Sequence, residues 1–536
     1  MPNDQLSPKA LEFLQAYEKA LDAEKNYDAT EGEKITVHQV SGKIAFFYEK
    51  LRNTVDYKEE HLLRKNGIVR ILKRRITTEK DEADVAKGLL YELVRARYLP
   101  NKKIPESRIE DAEAIIQKYT FLLNNMPERK GKDAAKDEAL FEWIIGIASC
   151  EIEECLVPHG KENAIVNFAR EVMEEKIKIQ ERIAIRPELA KELIYVAVLK
   201  ILNKADLDMI RYRLFITKHP EWTMAPSETT FRKMALAMDE IVSDIDKIVN
   251  HRYAENFIKA VKKNRAYLAI LQEVMFANPK DLERIFSHHY RIEDAVKETC
   301  VKKYRDAQAK LQRSAVRSII YIFITKVILA LIIELPFDKY IVGSINYFAL
   351  GVNILFPPVL MALAVISVNV PSKKNTELIV AGIKDMLYGQ YGKQIEIKKP
   401  APRKSFFLTI FRLFYIAVFI VSFGGIILLL RNLGFNAVSI ALFLFFLSVV
   451  SYFAIRIRQN ARELMVIQKK EGLLSFVTDL FMMPILQVGQ WLSTKMSSLN
   501  VFVYVLDFII EAPFKTFVDI FEEWIYYINE EKAKIE

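Results

Sequence analysis

Residues 318–335 read Ser-Ile-Ile-Tyr-Ile-Phe-Ile-Thr-Lys-Val-Ile-Leu-Ala-Leu-Ile-Ile-Glu-Leu, and this run decides the fold class. A helix rises 1.5 Å per residue, so a run of this length approaches the roughly 30 Å hydrocarbon core of a bilayer. Three further runs share its character. Residues 345–370 carry no charge and hold Pro357-Pro358 in their middle, residues 406–430 carry Arg412 near their start, and residues 435–455 are almost wholly apolar. The paired prolines are expected to bend or break the second helix.

Working outward, the first 300 residues are close to electroneutral, so the net charge of +9 belongs to the later part of the chain. Lys302, Lys303, Arg305, Lys310, Arg313 and Arg317 precede the first run. A lysine-rich loop from Lys373 to Lys404 separates the second and third, and Arg456, Arg458 and Arg462 follow the fourth. The alternate loops hold only Lys339 and Arg431. Cytoplasmic loops retain Lys and Arg, so both termini are expected inside, in a multi-pass protein of the plasma (inner) membrane. Three cysteines among 536 residues exclude a disulfide scaffold, and 17 glycines disfavour glycine-loop nucleotide folds.

The expected architecture is all-α. Residues 1–300 form a cytoplasmic helical domain with breaks near 127–131 and 219–227, and 301–317 a basic juxtamembrane helix. Residues 318–455 hold the four spans, and 456–536 form membrane-associated amphipathic helices. Pro8, Pro187 and Ser227 mark helix starts, as does Ser107 with Glu110 three residues on. Only residues 35–40 suggest strand. No glycine or proline interrupts 280–335, so the charged pattern is expected to enter the first span as one helix.

The segment 500–528 is apolar apart from Asp507, Glu511, Lys515, Asp519 and Glu523, one polar row on a helix, with Glu522 beside it. With its companion 473–492 it is expected to lie at the membrane surface or under the bundle. The alternative is a hairpin of two more spans.

No phosphate loop, zinc-protease motif, dinucleotide fingerprint or nucleophile elbow occurs, so no catalytic residue, cofactor or metal is assigned. His289 and Glu293, one turn apart beside His288, are read as an ordinary helix face. Cys150 and Cys155 are too widely spaced for a knuckle, and Glu151, Glu153 and Glu154 read as a solvated acidic face. Arg64, Lys65, Arg70, Lys73, Arg74 and Arg75 lie on a basic amphipathic surface helix. Such a helix suits anionic lipid or a protein partner, and the balanced charge around it argues against nucleic acid. Lys326 and Glu334 inside the first span demand partners, whereas Arg412 can snorkel to the interface. These features point to an integral membrane protein whose helical domain organises a protein complex. The alternative is a homo-oligomeric channel or transporter using the charges within its spans.

Overall fold

The computed structural model describes residues 5–28, 32–37, 49, 59–79, 81–126, 134–223, 227–366, 371, 373–389, 394–398, 405–461, 464–466, 473–498, 520, 524 and 527–528. These fall into two compact units. The first comprises residues 1–264, 385–398 and 501–536, and the second 265–384 and 399–500. The division lies at Asn264, well before residue 300, because the helices that follow pack with the membrane-entering helix.

The first unit contains α1 (Pro8–Asp28), α2 (Glu60–Thr78), α3 (Glu82–Arg95), α4 (Arg108–Asn125), α5 (Ala134–Leu156) and α6 (Gly160–Lys176). After them come α7 (Pro187–Leu202), α8 (Leu207–Lys218), α9 (Glu228–Val249) and α10 (Ala254–Lys262). Local chemistry sets several starts. Ser7 Oγ accepts from the Ala10 amide, Pro187 occupies the first turn of α7, and Ser227 Oγ accepts from the Thr230 amide. Ser107 behaves differently from the capping-box expectation. It already has helical φ and ψ, so its hydroxyl makes no cap hydrogen bond, although α4 does begin at Arg108.

α5 is the hub of this unit, packing on α2, α4 and α8. Trp222, in the short 3-10 turn Pro220–Thr223, is wholly buried against Tyr119, Phe215 and Phe231. Trp222 thus ties the described part of the 219–227 break into the core. Ile35 is held to Ile104 by a backbone hydrogen bond, but only an isolated bridge, Lys34 to Pro105, forms there. The sheet lies elsewhere. β1 (Ile177–Ile179) pairs in parallel with β2 (Ile395–Ile397), with Ile177 opposite Ile395. A segment from between the second and third apolar runs is thus part of the first unit.

The second unit opens with α11 (Arg265–Ala277) and α12 (Leu282–Phe286). A break at Ser287-His288 interrupts the stretch expected to be continuous from residue 280. From there one helix, α13 (His289–Leu329), continues without interruption to Val342, 54 residues or about 80 Å. Pro336 does not end it. Proline lacks an N–H and its ring crowds the carbonyl four residues back, and the helix absorbs this with π turns at Ala330–Glu334 and Asp338–Val342 around a short α turn, Leu335–Phe337.

α14 (Tyr347–Ile366) likewise continues through Pro357 and Pro358, which cannot donate to the carbonyls of Asn353 and Ile354. The helix is not broken at the prolines because, in an apolar bundle, unravelling more backbone would cost more than losing two hydrogen bonds. α15 (Lys373–Leu387), α16 (Ser405–Asn432), α17 (Ala437–Ala461) and α18 (Leu473–Ser498) complete the described elements. Among the described residues four helices are long and apolar enough to cross a membrane: His289–Val342, Tyr347–Ile366, Thr409–Asn432 and Ala437–Arg458. Large apolar side chains such as Ile332, Ile366, Phe411 and Leu428 are exposed along them, as a lipid-facing surface requires.

Inside the bundle, α14 packs on α13 and α17, and Met361, Phe446, Val450 and Ala454 form a core joined by Ile319, Ile322 and Leu329. α18 packs along α17 and against α16. Ser422 Oγ donates to the Phe481 carbonyl, and a Cβ at Gly489 would sit 2.1 Å from the Ser448 carbonyl, so only glycine permits that approach. α18 thus lies against two spans. The polar row Asp507, Glu511, Lys515, Asp519 and Glu523 lies outside the described residues.

Candidate functional site

The first span places Lys326 and Glu334 two turns apart on one face, and Asp338 follows Glu334 by one turn. All three side chains are buried, Lys326 and Glu334 completely. Lys326 Nζ donates to Glu334 Oε1 at 2.6 Å and lies 5.0 Å from the centre of the Phe446 ring.

Two other spans complete the site. Asn353 of α14, also wholly buried, donates from Nδ2 to Glu334 Oε2 at 2.7 Å and to the Ser439 carbonyl at 3.2 Å. Ser439 Oγ in α17 lies 3.4 Å from the same carboxylate oxygen. Just before α17, Asn436 donates to Asp338 Oδ1 and accepts the Ser439 amide at 2.8 Å. A hydrogen-bonded path therefore runs from Asp338 through Asn436 and Ser439 to Glu334 and on to Lys326. The nearby turn is fixed by Asn346, which donates to the carbonyl of Gly434. Gly434 has φ +81°, and a Cβ there would sit 2.6 Å from Asn346 Nδ2.

The balance of charge is uneven. Among the described residues two buried carboxylates stand against one ammonium, which contacts Glu334. Lys339 is exposed over the Tyr340 ring, and Arg431 is exposed as well. Asn353 Oδ1 has no hydrogen-bond partner among the described residues. An unmatched charge and an unmatched oxygen in a low-dielectric bundle are costly, and such groups mark ion or substrate sites.

The sequence singles out Lys326 and Glu334, which the structure brings together, and Arg412, which it leaves exposed on α16 away from this network. Asp338 escapes a reading by sequence because it falls just beyond Pro336, where the apolar run stops. Asn353 escapes it as an uncharged amide in an apolar run, although it and Gly351 are the least apolar residues of that helix centre.

The six basic residues of α2 belong to a different setting. They are not a surface stripe. Arg64 and Lys65 are buried, and all six meet carboxylates. Arg64 pairs with Glu153 at 2.7 Å and Lys65 with Asp206 and Asp208 at 2.6 and 2.7 Å. Arg70 pairs with Glu49, Lys73 with Glu142, Arg74 with Glu92, and Arg75 with Glu92 and Glu79. The helix packs on α5 and α3, and its basic residues are neutralised by acids of α5, of α3, of the start of α8, and by Glu49 and Glu79.

The acidic residues of α5 are likewise interior. Glu151 binds Lys118, the Tyr119 hydroxyl at 2.6 Å and Trp222 Nε1 at 2.9 Å. Glu153 joins Arg64 and His159 Nε2, the latter at 2.6 Å, and Glu154 pairs with Arg213. Burial alone would raise the Glu153 pKa, but the hydrogen bond and charge of His159, with Arg64, carry it below the usual carboxylate range. Burial likewise opposes protonation of His159, yet Glu153 outweighs it and the imidazole pKa is raised. Cys155 and Cys300 are each pushed up to about 11 by burial, so these thiols are not poised as nucleophiles. Glu293 is held near 2 by hydrogen bonds from Lys297 and Lys384, which occupy it. Among the described residues no group of three or more His, Cys, Asp or Glu is placed to hold a metal ion.

Compared with models of protein families, with characterised proteins and with solved structures, the chain matches none.

Proposed function

We propose that this is an integral membrane protein whose helical cytoplasmic unit acts as a platform that anchors or organises a protein complex at the membrane. The observation that carries the reading is the internal use of charge in the first unit. Glu151, Glu153 and Glu154 of α5 are each tied to partners on neighbouring helices, which suits a rigid body presenting outer helix faces. Placement on the cytoplasmic side is supported by the lysine-rich loop between the second and third spans, because its strand Ile395–Ile397 pairs with Ile177–Ile179 of the same unit.

The intramembrane carboxylate pair favours a second reading, a homo-oligomeric channel or transporter. Mild-detergent purification from native membranes, with complex mass and co-purifying proteins measured together, separates the two. A stoichiometric partner that cross-links to lysines within residues 1–264 supports the platform. A defined homo-oligomer with no stoichiometric partner sinks it and makes ion flux in proteoliposomes the next measurement.

A further inference from the structure

We propose that the Glu334–Asp338 face of the first span, closed by Asn353 and Ser439, binds one monovalent metal cation of the sodium type. This inference rests on neither functional reading, because binding does not require that the ion cross the membrane.

Charge comes first. Glu334 and Asp338 are buried one turn apart, and among the described residues the one ammonium that reaches the pair, Lys326, gives its 2.6 Å contact to Glu334 Oε1. From α14 the site receives the amide of Asn353, and from α17 and its cap Ser439 and Asn436, all neutral. Phe446 offers only its ring to Lys326. Among the described residues one negative charge is left over, and a monovalent cation cancels it, whereas a divalent ion would leave an equal positive excess.

Ligand chemistry comes second. Hard cations take carboxylate, amide and hydroxyl oxygens. Asn353 is wholly buried and directs its Nδ2 at Glu334, yet its Oδ1 has no partner among the described residues. Asp338 uses Oδ1 on Asn436. The oxygens of Asp338, Asn353, Ser439 and Glu334 come from three helices, joined by one hydrogen-bonded path. Lys326 sits at the far end of that path as a fixed counter-ion and holds Glu334 in place.

The test is thermal unfolding of the purified full-length protein in detergent, at one pH and constant ionic strength, with sodium replaced stepwise by N-methylglucamine. A saturable rise in Tm with sodium is expected, since a ligand of the native state stabilises it by mass action. Asp338→Asn removes the surplus charge, so its Tm in N-methylglucamine should exceed that of the wild type while its sodium response disappears. Ser439→Ala is the milder variant. It keeps the fold and the surplus charge, and should move the sodium midpoint about tenfold higher. Equal wild-type Tm in both salts overturns the proposal, as does a full sodium response in Asp338→Asn or an unmoved midpoint in Ser439→Ala. A wild-type Tm that follows pH and ignores sodium also overturns it, with a proton then meeting the surplus charge.

Discussion

The two units both bury charge, but they balance it differently. Around α5 the carboxylates of Glu151, Glu153 and Glu154 each meet a cation, from α4, from α2 with His159, and from α8 respectively. In the membrane bundle Lys326 pairs with Glu334, and among the described residues no cation pairs with Asp338. A balanced cluster can be explained by folding alone, because each charge covers the desolvation of its neighbour. The Asp338 carboxylate has no such partner among the described residues, and the proposed cation is what would balance it.

Removing Lys326 should break the comparison most severely. Lys326→Met leaves two carboxylates without a cation among the spans, a cost of about 3–5 kcal/mol, read as lost monodispersity or a large fall in Tm. If the charge count governs the effect, Lys326→Met with Glu334→Gln should recover much of the loss, because both partners of the 2.6 Å pair are then neutral. A double variant no better than the single one would show that shape, and not charge, is what Lys326 supplies.

Glu153→Gln probes the balanced cluster in the same way. It strands Arg64, whose side chain is about one-tenth exposed, beside His159. A loss of about 3 kcal/mol is expected, at the lower end for a buried pair because His159 can release its proton. Hydrogen exchange should localise the loosening to α2 and α5. Exchange unchanged in α5 would contradict its role as the hub.

A weaker effect should follow pH. The raised pKa of His159 means that its protonated form is favoured by the native state. That contribution is complete below the unfolded value of about 6.5 and fades as pH rises through the higher folded one. The first unit should therefore lose stability on going from mildly acidic to mildly alkaline solution, and His159→Gln should flatten the dependence. A slope that persists in the variant would assign it to other groups.

How much was legible follows from the same contrast. The spans could be read because a bilayer demands long unbroken apolar runs, whereas the core of a soluble domain is built from shorter, periodic ones. Buried ionic residues could not. Glu151 and Glu154 lie one turn apart on α5 and Glu153 on another side, so no single face marks all three as interior, and a charge bound to a distant partner looks in sequence like a charge bound to water. Pro357 and Pro358 run against the rule for a related reason, since the rule that proline breaks helices assumes that water can satisfy the freed carbonyls, and both prolines are buried in the bundle. The strand pair β1–β2 was hidden by its shortness and by the length of chain between its partners.

The smallest effect tests the most direct of these misreadings. If α2 were a lipid-binding surface, exchanging Lys73 and Arg74 for glutamine would weaken binding of the full-length protein to anionic liposomes relative to neutral ones. Their partners are Glu142 and Glu92, and the Lys73–Glu142 pair is about 43% and 42% exposed at its two ends. Exposed pairs of that kind contribute only about 0.2–1 kcal/mol. The double exchange should accordingly lower Tm slightly and leave the liposome preference unchanged. A lost preference would mean that these side chains leave their acids for lipid, and that the balance seen around α2 is one of two states.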